Sequence, residues 1–343
     1  MSNTHETGSF SSFDIGDNWR MWIAENLMLG GRESDLLEVL RNRGVPRLVA
    51  KRALREAADH PYLRGALRLR NRLQKREWLL DINRCLNRLT PLTIERRHRL
   101  DLESFFKDHY VANRPVIVTG AIDAWPATQR WTFEYLRTEV GEETVEVQWG
   151  RDTDENYEIN SSSHRRSMRF AEYVDLIQQA GRTNDFYMTA NNSASNRSIV
   201  VRLTHDILPL PECLNSDEAD RWFFWFGPSG TFTPLHHDLT NNLMAQIVGR
   251  KRIWLAPPCE TADLYNERHC FSLADLRHPD DPRFPDVQNV QWTQCDLAPG
   301  ELLFLPVGWW HSVESLDVSI TATFTNFRWS NDHTRRYPSV TNF

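Results

Sequence analysis

Several features that proteins of other classes carry are missing from this 343-residue sequence. It has no run of the roughly 18 apolar residues that a membrane-spanning helix requires. Its opening, MSNTHETGSFSSFD, lacks a basic start followed by an apolar run, so it does not read as a secretory signal. Its five cysteines are odd in number, scattered and without a CxxC pair, which argues against a disulfide framework and against a zinc knuckle. We therefore expect reduced thiols and a cytoplasmic location.

The charge of the chain is unevenly distributed, although its formal net charge is only −6. Residues 31–100 hold 18 Lys+Arg against 8 Asp+Glu, whereas the remainder holds 22 against 38. Sixteen of those 18 basic residues are arginines, several of them spaced around amphipathic helices. Solvated helix faces explain such a pattern, and a surface for an acidic partner explains it as well.

The pattern of the sequence changes near residue 100. Before it, apolar residues recur at helical spacing, with breaks at Gly44 and at His60-Pro61. After it, short β-rich runs such as RPVIVTG, WFFWFG and DVSITATFTNF alternate with turns, which predicts a sandwich or barrel. We predict four parts: a flexible tail over 1–16, a basic α-helical region over 17–100, a catalytic domain over 101–330 and a C-terminal tail over 331–343.

The segment TPLHHDLTNN contains the strongest chemical signal. Residues two apart on a strand face the same way, so His236 and Asp238 are predicted to project together into the barrel. One histidine and one carboxylate at this spacing, with a distant second histidine, are typical of non-heme Fe(II) oxygenases. A second His-x-Asp triplet, His278-Pro279-Asp280, lies among prolines that no regular strand would accommodate, so we do not expect it to bind metal.

The third ligand and the anchor for a co-substrate are predicted from two further segments. His311 follows 75 residues after His236, in PGELLFLPVGWWHSVESL, where it would open a neighbouring strand. Three protein ligands leave room for a bidentate 2-oxo acid and O2, and a 2-oxo diacid also needs a cation for its far carboxylate. Lys251, just after the turn at Gly249, fits that need. Thr233 lies three residues before His236, so it faces inward only if a turn or bulge occurs at Pro234.

These segments, together with NNLMAQIVGRKR and ITATFTNF, resemble the JmjC-domain (cupin-like) hydroxylases, including the asparaginyl hydroxylase that acts on hypoxia-inducible factor. The resemblance covers roughly residues 100–330. It implies an α+β fold in which a double-stranded β-helix, a jelly roll of the JmjC type, follows the helical region. It also implies Fe(II) at His236, Asp238 and His311, and 2-oxoglutarate as co-substrate.

The resemblance further implies roles for residues that spacing alone does not select. Lys251 would bind the C5 carboxylate of 2-oxoglutarate, helped by Thr233 and by Tyr187. Asn242 and Asn326 would lie near the C1 carboxylate or the oxygen position.

Three functions remain open at this level. The family favours a hydroxylase of a protein or peptide side chain, which releases succinate and CO2. The basic helical region permits an RNA (tRNA) hydroxylase instead, although no RNA-binding signature accompanies it. A cupin that binds metal without turnover is the third. A histone-type demethylase is disfavoured because no reader domain or zinc cluster is present. A homo-oligomer formed through the N-terminal helices is a further expectation.

Overall fold

The computed structural model describes residues 15–338. The chain divides into two compact units, Met1–Asn83 and Arg84–Phe343. Because the described residues are 15–338, nearly all of the predicted N-terminal tail lies outside them, as do the last five residues of the predicted C-terminal tail. None of the helices described is both long enough and apolar enough to cross a membrane.

The first unit is helical, and this confirms the helical region predicted before the barrel. Its small core contains Ile23, Leu36, Leu40 and Leu54. Leu36 and Leu40 are four residues apart and so share one face of their helix. The helices are α1 (Asp17–Met28), α2 (Glu33–Asn42), α3 (Arg47–Asp59) and α4 (Pro61–Asn87), of which the last ends in the second unit.

Between residues 84 and 338, the sheets of the second unit contain thirteen short strands. They are β1 (Glu95–His98), β2 (Val116–Thr119), β3 (Thr144–Trp149), β4 (Arg165–Arg169), β5 (Phe186–Tyr187), β6 (Trp222–Gly227), β7 (Phe232–His237), β8 (Asn242–Val248), β9 (Lys251–Ala256), β10 (Thr293–Leu297), β11 (Glu301–Leu305), β12 (Trp310–Ser315) and β13 (Ser319–Phe324). Strand β1 lies inside the range predicted to be helical, where ERRH pairs in parallel with β2. The helical region thus ends earlier than residue 100.

The strand order is that of a double-stranded β-helix. One sheet has the order β1-β2-β11-β8-β13-β6, and the facing sheet has the order β10-β9-β12-β7. Strands β6 to β13 therefore contribute four strands to each sheet, as in a jelly roll built from two Greek keys. The predicted fold class is confirmed. A third sheet, β4-β3-β5, lies beside them.

Alternation along the strands of the larger sheet separates a packed face from an inner face. On β13, Ile320, Ala322 and Phe324 belong to the main hydrophobic core, whereas Thr323 lines an internal cavity. On β6, Phe224 joins that core and its neighbours line the cavity. The short helices of this unit are α5 (Leu102–Phe105), α6 (Ala127–Arg130), α7 (Phe133–Val140), α8 (Phe170–Gln179) and α9 (Arg197–Leu203). Because successive side chains point to opposite faces, one strand can serve both the core and a polar site.

Candidate active site

Three potential ligands meet where β7 pairs with β12. His236 lies directly opposite His311 in this antiparallel pair, and their ring centroids are 4.1 Å apart. Asp238 follows the end of β7, with Oδ1 3.8 Å from Nε2 of His236. One ligand atom from each of the three residues lies within 4.8 Å of the others. His311 is thus brought to His236 and Asp238 by strand register rather than by proximity along the chain.

Both histidines are held in the tautomer that a metal ligand needs. Nδ1 of His236 lies 2.8 Å from the carbonyl of Pro234, and Nδ1 of His311 lies 2.9 Å from the carbonyl of Trp309. A carbonyl oxygen only accepts, so each Nδ1 carries the proton and each Nε2 keeps a free lone pair. Burial, followed by the neighbouring His236, lowers the pKa of His311 below its ordinary value, which keeps the ring neutral.

The donor set fits a hard to intermediate divalent metal with open coordination positions. Two neutral imidazoles and one carboxylate match the facial arrangement of non-heme Fe(II) centres. The Nδ2 group of Asn242 lies 3.3 Å from Oδ2 of Asp238, so it orients that carboxylate. The exposed His278-Pro279-Asp280 triplet is not part of this group.

Lys251 is a buried cation without a carboxylate partner. Its side chain is almost fully enclosed, and its Nζ donates to the hydroxyl of Tyr187 at 2.9 Å. Within residues 15–338, no acidic side chain forms an ion pair with it, and burial lowers its pKa to about 7. An unpaired buried ammonium is costly unless an anion arrives to neutralise it. Lys251 and Tyr187 line the same cavity as the three ligands, which fits a dicarboxylate that spans from metal to lysine.

A β-bulge brings Thr233 into this cavity. His236 pairs with His311 and Thr233 pairs with Val313, so two residues of β7 face the single residue Ser312. The extra residue shifts the alternation of the strand, which lets Thr233 and His236 point the same way although they are three apart. Thr233 lines the cavity.

Of the two predicted asparagines, only Asn242 lines the cavity. Asn326 instead donates its side-chain amide to the carbonyls of Asn215 and Glu218, at 3.2 and 3.1 Å. Thr323 and Thr325 line the cavity, so alternation directs the residue between or after them to the other side. Asn326 is thus outside the cavity lining, whereas the resemblance implied a position near the C1 carboxylate or the oxygen position.

Glu158 and Asn191 are two polar residues of the cavity wall that were not predicted as site residues from the sequence. Glu158 is buried, and its carboxylate accepts from Arg151 at 3.0 Å and from Asn191 at 2.9 Å. Glu158 lies in a turn and Asn191 in a short 3-10 helix, so no strand periodicity indicates an inward side chain at either position. The cavity has a volume of about 430 Å³. Its wall is completed by Ala190, Phe223, Trp225, Thr240, Met244, His269, Cys270, Phe271 and Val313.

The jelly roll, the facial triad and the buried lysine together define a class of protein. The family model described as a cupin-like domain matches residues 102–333, which is more than half of the chain. The chain belongs to this family, the cupin-like JmjC-domain proteins, and its site fits the Fe(II) and 2-oxoglutarate that the family uses.

Several curated proteins are similar to the chain. It is 32% identical over 253 residues to the lysine-specific demethylase JMJ30 of Arabidopsis thaliana, covering 71% of this chain and 56% of that protein. It is 35% identical over 240 residues to lysine-specific demethylase 8 of Xenopus tropicalis, covering 67% and 52%. It is 23% identical over 244 residues to the human tRNA wybutosine-synthesizing protein 5, covering 67% and 76%. The chain thus spans about half the length of the first two relatives.

Proposed function

We propose that the protein is an Fe(II)- and 2-oxoglutarate-dependent hydroxylase of a protein side chain. The observation that carries this proposal is the unpaired, buried Lys251 in the same cavity as His236, Asp238 and His311. A cupin that only bound metal would gain nothing from a desolvated ammonium there, since the residue costs stability until an anion binds.

Each residue has a distinct role in this proposal. His236, Asp238 and His311 would hold the iron, and Asn242 would keep the Asp238 carboxylate oriented. Lys251 would bind the far carboxylate of 2-oxoglutarate, with Tyr187 and Thr233 as further hydrogen-bond partners. When bound, the iron and the 2-oxo acid together activate O2, with succinate and CO2 as by-products, so that a C–H bond of the substrate is hydroxylated.

The chain also supplies the surroundings of the reaction. Phe223, Trp225 and Met244 form an apolar part of the wall, which limits water around the metal. Glu158 and Asn191 give the wall a polar patch able to accept and donate hydrogen bonds. We propose that this patch binds a basic or amide-bearing side chain of the substrate. Two relatives named as lysine-specific demethylases support a protein substrate.

An RNA substrate is the second candidate. The excess of basic over acidic residues in 31–100, and a relative named as a tRNA wybutosine-synthesizing protein, support it. A site that used this basic surface would show affinity falling steeply with salt, because bound counterions are released from the phosphates.

A reducing, cytoplasmic setting is proposed on the cysteines. All five are free thiols, and Cys213, Cys259 and Cys295 are buried. Such a setting also keeps iron in the ferrous state that the proposed chemistry needs.

The test is product analysis with matched substrates. Iron-loaded protein would be incubated with 2-oxoglutarate and air, in one arm with peptides presenting Arg, Lys, Asn or Gln, and in the other with bulk tRNA. The proposal expects peptides that gain the mass of one oxygen atom. Modified nucleosides with unmodified peptides would favour the RNA candidate, and no product in either arm, with no succinate, would contradict a hydroxylase.

Substitution of Glu158 tests the contribution of the polar patch. Glu158→Gln should raise the KM for a basic peptide roughly tenfold, because a charge-assisted hydrogen bond becomes a neutral one. Glu155→Gln is the matched control, since Glu155 is exposed and outside the cavity wall. Thermal melts of both variants would exclude a folding defect caused by the loss of the Arg151 ion pair. An unchanged KM would remove Glu158 from substrate binding.

A further inference from the structure

The free edge of the ligand-bearing strand β7 is covered by a loop. Strand β7 is the last strand of its sheet. Residues 266–272, here called the rim segment, lie beside this edge and continue the hydrogen bonding of the sheet. The amide of His237 donates to the carbonyl of Cys270 at 3.0 Å, and that of Ser272 donates to the carbonyl of Leu235 at 2.9 Å.

The rim segment forms part of the active-site wall. His269, Cys270 and Phe271 all line the cavity. The ring of Phe271 is stacked on that of His236, with centroids 5.6 Å apart and an angle of 26° between the planes. Because His269 is exposed and also lines the cavity, this segment lies at the solvent-facing edge of the cavity, and Phe271 covers one face of His236.

Tyr337, which is distant in sequence, forms hydrogen bonds with the rim segment. Its hydroxyl donates to the carbonyl of His269 at 2.7 Å and lies 3.1 Å from Oδ1 of Asn266. The same oxygen lies 3.1 Å from Nε2 of His237, the residue between the first two ligands. Since the hydroxyl has one proton and two lone pairs, it can donate to the rim and accept from His237 together. The tyrosine ring also packs edge-on against both His237 and His269.

The segment that carries Tyr337 is anchored a second time near the metal ligands. Asn331 accepts from the backbone and side-chain amides of Asn241 at 2.7 and 2.9 Å, and donates to the Asn241 carbonyl at 2.9 Å. Asn241 lies in the turn between Asp238 and Asn242, whose side chains line the cavity. Residues 331–337, here called the strap, thus contact both the rim segment and the turn that follows Asp238.

We propose that Tyr337 is a positioning residue that holds the rim segment against β7 and thereby governs how the main substrate enters the cavity. The Tyr337 hydroxyl contacts neither Lys251 nor a ligand atom of the metal site, so its removal alone leaves the contacts to metal and to 2-oxoglutarate in place. Substrate entry depends on it because the rim segment must hold its place beside His236 while a side chain is admitted. This inference adds a residue to the proposed function, and its first test does not require activity.

The test is hydrogen exchange of Tyr337→Phe, which keeps the ring and removes only the hydroxyl. Peptides covering 232–239 and 266–273 should exchange about tenfold faster, the effect of losing one or two buried hydrogen bonds. Peptides from β8 and β13 should not change. Tyr62→Phe is the matched control, because Tyr62 is exposed in the first unit.

Binding and kinetics complete the test. The affinities for Mn(II) and for 2-oxoglutarate should stay within about twofold of those of the unaltered protein. With a peptide substrate, KM should rise several-fold while kcat changes little, since loss of the hydroxyl weakens a substrate-binding wall rather than the chemistry. Unchanged exchange in both the 232–239 and the 266–273 peptides would overturn the inference. Equally faster exchange throughout the barrel would overturn it as well. If exchange changes as expected and no substrate is found, the positioning role of Tyr337 is supported and the proposed function fails.

Discussion

Replacement of Lys251 by methionine should stabilise the protein in the absence of 2-oxoglutarate and abolish its response to 2-oxoglutarate. The ammonium is buried without a carboxylate partner, and its pKa is lowered to about 7 by burial. Apolar replacement of buried charged groups is often stabilising by about 1–4 kcal/mol. Because Tm changes by roughly 2–4 °C per kcal/mol in domains of this size, the Tm of the variant should rise by several degrees.

The pH dependence of this stabilisation has a defined sign. In the unfolded chain Lys251 takes up a proton below its ordinary pKa of 10.5, whereas in the folded chain it does so only below about 7. The unfolded state therefore binds more protons between these two values, and the stability of the unaltered protein rises with pH across that interval. The advantage of Lys251→Met should be largest near pH 7 and should shrink as the pH rises towards 10.5.

The assay is thermal unfolding with Mn(II) as a redox-silent metal, with and without 2-oxoglutarate. The unaltered protein should gain about 2.7 kcal/mol at a ligand concentration 100 times Kd. The variant should gain almost nothing, since an unpaired buried carboxylate raises Kd by roughly 100-fold or more. Lys107→Met is the control, because Lys107 is exposed and distant from the cavity wall. A variant that loses stability and still responds to 2-oxoglutarate would refute the role given to Lys251.

Three further substitutions test neighbouring parts of the account. Tyr187→Phe removes the hydrogen-bond partner of Lys251 and should weaken 2-oxoglutarate binding about 5–10-fold by calorimetry; equal affinity would contradict this role. Asn242→Ala frees the Asp238 carboxylate and should lower metal affinity about 10–100-fold in a competition titration with a chelator. Gly249→Ala should lower the free energy of unfolding by more than about 2 kcal/mol in urea unfolding. The turn has a φ of 68°, and a Cβ would lie 2.1 Å from the carbonyl oxygen of Val318. A free energy of unfolding within about 0.5 kcal/mol of that of the unaltered protein, the size of a neutral surface change, would contradict this reasoning.

The parts of the site that sequence could predict are those fixed by strand periodicity. His236 and Asp238 follow from their spacing of two, and His311 follows from its place at the start of another strand. Lys251 begins a strand directly after a turn, so its position could also be predicted from the sequence. In each case one local rule, applied to a strand that does form, is sufficient to orient the side chain.

Other parts depend on contacts that no local rule specifies. Thr233 faces inward only because two residues of β7 oppose one residue of β12, which is a property of the pairing of two strands. Asn326 lies beyond the end of β13 and is taken up by loop carbonyls. Glu158 and Tyr337 reach the site from irregular segments that are distant in sequence, so their positions depend on the packing of the whole domain.

The most direct test of the central claim is succinate production by the iron-loaded protein in air, compared with His236→Ala. We expect slow oxidation of 2-oxoglutarate even without the main substrate, so no knowledge of that substrate is required. We predict 2-oxoglutarate-dependent succinate from the unaltered protein and none above background from the variant, with both proteins folded. Folded protein that binds iron but neither binds nor consumes 2-oxoglutarate would contradict the oxygenase function and favour a cupin without turnover.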